Sequence, residues 1–156
     1  MKRFLACLPL LALAAWATND RDIATAVRDV YKVQDFDGLE KSPAWRELGR
    51  ACLGTGIRDN GQAGPSRIAF TCSAADGTDA GQMRTRMDSL TKAVESALPS
   101  WTFKDSSPAT KTARTVSGVS SARDASITIT YEYDADMKSG DVTIDGHRTA
   151  PGKASL

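Results

Sequence analysis

Four groups of residues in this chain are of types that do chemistry, and their spacing decides which chemistry is open to them. Ser89-Leu90-Thr91-Lys92 has the Ser-x-x-Lys form in which a lysine one helical turn on activates a serine, and Lys111-Thr112-Ala113 is one residue away from the companion Lys-Thr-Gly. That mechanism needs the serine at a helix start, a Ser-x-Asn element and a large fold. Ser89 instead falls mid-helix, no Ser-x-Asn element accompanies it, and the chain has 156 residues. A three-letter match of this kind carries no mechanism. His147 is the only histidine, so any histidine-dependent triad or acid–base pair would have to use it. Its one near carboxylate in sequence is Asp145, and a surface histidine is the expectation.

The cysteines are the second group. Cys7 lies in an apolar leader, which leaves Cys52 and Cys72. They have no Cys-x-x-Cys spacing for redox work, and one histidine gives a metal site too few further ligands. A widely spaced pair in an exported chain reads as a disulfide, Cys52–Cys72. Closing a loop of about 20 residues stabilises by ~3 kcal/mol through the unfolded state. No metal and no cofactor are expected.

The third group is acidic. Glu132, Asp134, Asp136, Asp141 and Asp145 surround one turn near the C-terminus. Asp-x-Asp hints at calcium, but the glycine and terminal glutamate of an EF-hand loop are not at the required positions. Turns favour Asp in any case. What is left is an acidic recognition edge, with Glu132, Asp134, Asp136 and Asp141 as its binding residues. Basic residues lie elsewhere: Arg84 and Arg86 on a helix, Lys104, Lys111, Arg114 and Arg123 near the middle strands. The last group is bland. Trp45 and Trp101 belong to apolar faces, and Gly54-Thr55-Gly56 is read as a helix end, since no Lys-Ser/Thr follows it as in a phosphate loop.

The elements that must position these groups follow from hydrophobic periodicity. In Gln82 to Leu98 the residues Met83, Met87, Leu90, Val94, Ala97 and Leu98 draw one apolar stripe down a helix. Asp79 stands at its N-cap, Gln82 completes a capping box, and Pro99 ends it. Arg84, Arg86 and Glu95 fall to the polar side, where Asp88 and Lys92 form an i, i+4 pair. Ile23, Ala26, Val27, Val30 and Tyr31 give a smaller helix over Asp20 to Gln34. Ser42-Pro43 starts another, with Trp45, Leu48 and Cys52 on one face and Gly54 and Gly56 at its end. Asp59 to Ser66 reads as a loop, Arg67 to Ser73 as a strand, and Ala74 to Gly81 as a turn. After Pro99 come a short strand at Trp101 and Phe103, a weak one around Thr112 to Val116, the strong Ala125 to Asp134, and Asp141 to His147. The order predicts an α+β fold: two short helices, one strand, then a long helix packed on an antiparallel sheet of about four to five strands.

Residues 1–17 read as a secretory signal peptide: Lys2 and Arg3, an apolar run from Leu5 to Ala14, and a small-x-small site at Ala15-Trp16-Ala17. Residues 18–148 then form a single α+β domain and 149–156 a flexible tail. Cleavage after Ala17 would remove two of 20 basic residues and leave 18 against 19 acidic ones. That balance gives no basic stripe for nucleic acid, and no second apolar run reaches membrane length. The chain is expected in the periplasm or secreted, as a non-catalytic binding protein. Its expected partner is a protein, in the sharpest form a basic cell-wall-degrading enzyme that it inhibits or to which it confers immunity. Two other classes fit the same residues: a structural or assembly component of the bacterial envelope, and a small carboxylate-dependent hydrolase.

Overall fold

The computed structural model describes residues 9–33, 38–59, 67–106 and 109–149, with side chains omitted for 9–18, 58, 59, 67, 68 and 149. The start of the expected leader, the expected loop at 60–66 and the tail from 150 lie outside the described residues, as do the side chains around the expected cleavage site. Helix α1 (Pro9–Lys32) is followed by a 3-10 turn (Leu39–Lys41) and α2 (Pro43–Ala51). Strands β1 (Gly54–Asp59) and β2 (Arg67–Gly77) precede the long helix α3 (Ala80–Ala97). Strands β3 (Thr102–Asp105), β4 (Ala113–Val119), β5 (Ala125–Asp134) and β6 (Ser139–Thr149) complete the chain. All six strands join one antiparallel sheet in the order β1-β2-β6-β5-β4-β3.

Helix α3 forms where its stripe demands. The Asp79 carboxylate accepts from Gln82 N at 2.8 Å, which satisfies an orphan donor of the first turn. Met83, Met87, Leu90 and Val94 are buried against the sheet. Helix α2 starts as expected, with Ser42 Oγ accepting from Trp45 N at 3.1 Å and Pro43 in the first turn. Helix α1 packs on α3 and α2 through Ile23, Ala26, Val27 and Val30. Ile127, Ile129 and Tyr131 of β5 and Val142 and Ile144 of β6 are fully buried beneath these helices. Gly146 is what lets α1 approach: a Cβ there would sit 2.1 Å from the Phe70 ring and 2.6 Å from the Tyr31 hydroxyl. The Cys52–Cys72 disulfide is present, with Cα atoms 5.6 Å apart, and ties the end of α2 to the second strand.

Four expectations change. The sheet has six strands rather than four or five, because Gly54 to Asp59 is strand β1, where a helix end and a loop were expected. Cys52 itself ends α2, and Leu53 N already donates to Ser73 O at 2.8 Å, so the pairing with β2 begins at the disulfide. Strand β2 runs on to Gly77 through the segment expected to turn, its register shifting between Ser73 and Ala75. Such a bulge breaks the alternation a sequence reading relies on. Helix α1 spans 24 residues and is not short. On α3, Arg86 is not on the wet side: it is 3% exposed and pairs with Asp20, and Asp88 meets Arg114 instead of Lys92.

Candidate acidic site at one end of the sheet

Strands β5 and β6 are joined by the turn that carries the acidic residues, and the pairing fixes which of them meet. Glu132 lies directly opposite Asp141, and Asp141 lies directly opposite Asp76 of β2. Partners in an antiparallel register share a face, so the three carboxylates form one row across three adjacent strands. The row is on the face away from the helices, since β5 and β6 bury Tyr131 and Val142 on the other. Glu132 and Asp141 are exposed. Among the described residues no ion pair involves any of the three. Like charges directly opposite one another destabilise a sheet, so folding gives no reason for this row.

The other two expected binding residues do different work. The Asp134 carboxylate accepts from the backbone N–H groups of Asp136 at 2.8 Å and Met137 at 2.9 Å, and so builds the turn. Asp136 sits on that turn, exposed, outside the row. Lys138 completes the turn in the left-handed region at φ 50°. Asp145 is two rows away, where Thr71 Oγ1 donates to its carboxylate at 2.6 Å. Asp76 joins the row although its segment reads as a turn; the bulge before it hides its face from any alternation pattern. The row borders an open hollow of about 880 Å³ whose other walls include Tyr133, Thr112 and Met137. Met137 is 73% exposed, which puts one large apolar side chain at the acidic rim.

The Tyr133 hydroxyl donates to Thr78 O at 3.0 Å and Tyr131 to Ala80 O at 3.2 Å, so the end of β5 is tied to the entry of α3. This support fixes the row and the hollow relative to the core. The remaining chemical candidates are dispersed. Ser89 lies beside Asp20 and Lys92 in a groove between α1 and α3, in the middle of α3 as its sequence position implies. His147 is exposed on the outer sheet face opposite Ser126. No group of three or more His, Cys, Asp or Glu that could hold a metal ion is found among the described residues.

Sequence reasoning missed one polar feature altogether. Asp20 of α1 and Arg86 of α3 pair at 2.8 Å with side chains 1% and 3% exposed. With its amide oriented to suit, Asn19 accepts from Arg86 Nη2 at 3.0 Å and donates to Ala51 O at 3.3 Å, so all three helices meet there. Burial pushes the Asp20 carboxyl above its ordinary range, while the Ser89 hydroxyl and Arg86 pull it back. A signal for it existed: Arg86 is three residues from Met83 and four from Leu90, inside the apolar stripe. Its charge alone assigned it to water. No family model, no curated protein and no solved structure matches the chain.

Proposed function

We propose that this chain is an exported binding protein that acts through the acidic end of its sheet on a basic protein, in the sharpest form a cell-wall-degrading enzyme that it restrains. The observation that carries the reading is the row Asp76–Asp141–Glu132, three like charges held in register with no paired cation among the described residues. An arrangement that costs folding energy and presents one sign of charge is suited to steering a partner of the opposite sign. Exposed Met137 and the adjoining hollow supply an apolar anchor within a charged rim, the anatomy of a small protein interface. Export is supported by the disulfide, a bond that persists in oxidising compartments. Among the described residues no helix is long and apolar enough to cross a membrane.

Glu132 and Asp141, directly opposite each other, also form the carboxylate pair a hydrolase would need. Both face open solvent, and the acid–base tuning of such a pair requires a site that excludes water. Binding is therefore the better reading. The test uses a basic lysozyme-type glycan hydrolase as probe, with association rate measured against ionic strength. Wild type should bind and inhibit at low salt, and Asp76→Asn/Glu132→Gln/Asp141→Asn should associate at least tenfold more slowly with a flatter salt slope. Equal rates and slopes for the two proteins would overturn the reading. Asp134 is left intact because it builds the turn.

A further inference from the structure

At the other end of β5 lies a second cleft, of about 570 Å³, within the range that holds small organic ligands. It opens between the end of α1, the connection from α3 to β3 and the turn from β4 to β5. Its wall is aromatic: Tyr31 and Trp101 have ring centroids 4.8 Å apart, and Trp101 stacks on Phe103 at 6.5 Å. Trp101, expected in the core, is only half-buried and lines the cleft. Tyr31 is fixed by its hydroxyl, which donates to Ser126 O at 2.6 Å.

The charges around this wall do not cancel. Arg148 Nη1 donates to Tyr31 O and Val33 O, and so serves the orphan carbonyls at the end of α1. Asp124 lines the same cleft and offsets that charge in the count; its carboxylate accepts from Ser120 Oγ at 2.8 Å. Arg28 and Lys32, in contrast, share one carboxylate. Arg28 Nε and Nη2 both reach Asp29 Oδ1 at 2.9 Å, and Lys32 Nζ lies 3.5 Å from the same oxygen. One positive charge is left over at the mouth of an aromatic-walled cleft.

We propose that this cleft binds a small organic monoanion in which one carboxylate is attached to a six-membered ring with a face that can stack on an indole. The ring lies against Trp101, and the carboxylate meets the Lys32 ammonium and the Nη1 end of Arg28. Trp101 supplies a rigid flat surface at little cost in side-chain entropy, and the excess of one cation sets the ligand's charge at one. Ser100 and Ser120 hydroxyls border the same space, so a sugar ring has hydrogen-bond partners as well as a surface to stack on.

The test titrates the isotopically labelled full chain with benzoate and glucuronate, an aromatic and a sugar monocarboxylate, and with their neutral counterparts benzyl alcohol and glucose. Saturable shifts of the Trp101 indole N–H with at least one carboxylate, and at least fivefold weaker binding of its neutral counterpart, are expected. Lys32→Gln should weaken the carboxylate about fivefold and leave the remaining amide spectrum in place, because the Lys32 side chain is 65% exposed. Trp101→Leu should abolish saturable shifts of the Ser100 and Ser120 backbone amides, which border the cleft and report on it once the indole is gone. Three results would each overturn the proposal: no saturable shift with either carboxylate, equal affinity for the neutral counterpart, or unchanged affinity in Lys32→Gln. Preference for benzoate over glucuronate, or the reverse, identifies the ring.

Discussion

Removing one side of the Asp20–Arg86 pair should cost far more than removing both, and the two single losses should differ in their response to pH. The pair is 2.8 Å apart with both side chains almost wholly out of solvent. Breaking such a pair strands a buried charge and costs about 3–5 kcal/mol. For a domain of this size that lowers the melting temperature by roughly 10–17 °C. Asp20→Ala leaves Arg86, which keeps its proton at any accessible pH, so its cost should be the same at neutral and mildly acid pH. Arg86→Met leaves Asp20, whose carboxyl burial already holds above its ordinary value. Without Arg86 it rises further and takes a proton, so the penalty should shrink as pH falls. The folded pKa lies above the unfolded one, so the folded state gains a proton through this window and is relatively favoured below it. Replacing both, Asp20→Leu with Arg86→Met, should come close to wild type, since an apolar pair of similar volume suits a buried site. The assay is urea unfolding followed by circular dichroism, for all four proteins at both pH values. A double variant as unstable as the sum of the singles, or an Arg86→Met cost that ignores pH, would refute the argument.

Reduction of Cys52–Cys72 should lower stability by ~3 kcal/mol, and free-thiol labelling of the native chain should find neither residue. Leu90 is fully buried whereas Ser96 is exposed on the same helix, so Leu90→Ala should cost ~2–5 kcal/mol and Ser96→Ala less than about 0.5, read from urea midpoints. The Asp29 carboxyl lies below its ordinary range, held there first by the hydrogen bond from Arg28. Its contribution is therefore present above the unfolded value of 3.8 and lost as pH falls through the folded one. Asp29→Asn should flatten the acid limb of the stability profile by lowering the neutral plateau, while leaving stability below the folded-state titration unchanged.

What could be read from residues alone was what periodicity carries. The stripe of α3, its Asp79 cap, the Ser42-Pro43 start of α2 and the full extent of β5 all stand in the structure as their patterns imply. Each of these is local, set by spacing or by a cap within four residues. Strand β1 has no such signal: Gly54 and Gly56 are strand residues only because β2 lies beside them. The rest of β2 was hidden by the bulge, which reverses the phase of alternation after Ser73 and so also hid Asp76. Arg86 shows a different limit. A charge inside an apolar stripe can be buried only if a partner arrives from elsewhere in the chain, and Asp20 is 66 residues away. The disulfide was legible because both ends lie on the apolar side of their elements. Trp101 was assigned to the core on its apolar spacing, yet the cleft leaves it half-buried.

The same sheet contains a control for the acidic row. Two residues along β5 and β6, and three along β2 because of its bulge, the outer face carries Ser73, Thr143 and Thr130 in one register, which Thr115 of β4 continues. Small neutral hydroxyl side chains, three of the four β-branched threonines, are what a half-covered sheet face accommodates at least cost. Had Asp76, Asp141 and Glu132 been selected only for folding, they would have resembled their neighbours. Asp141 stands in the middle of the row and faces a carboxylate on either side, so Asp141→Thr removes two like-charge contacts and adds a better strand former. It should raise stability, by roughly 0.5–1 kcal/mol in the urea midpoint at low salt, and by less as salt screens the row. Binding to a basic partner should weaken in the same variant, the trade expected when a surface is kept for recognition at the expense of the fold. A fall in stability would mean that the row serves the sheet after all, and the case for an acidic recognition edge would lose its foundation.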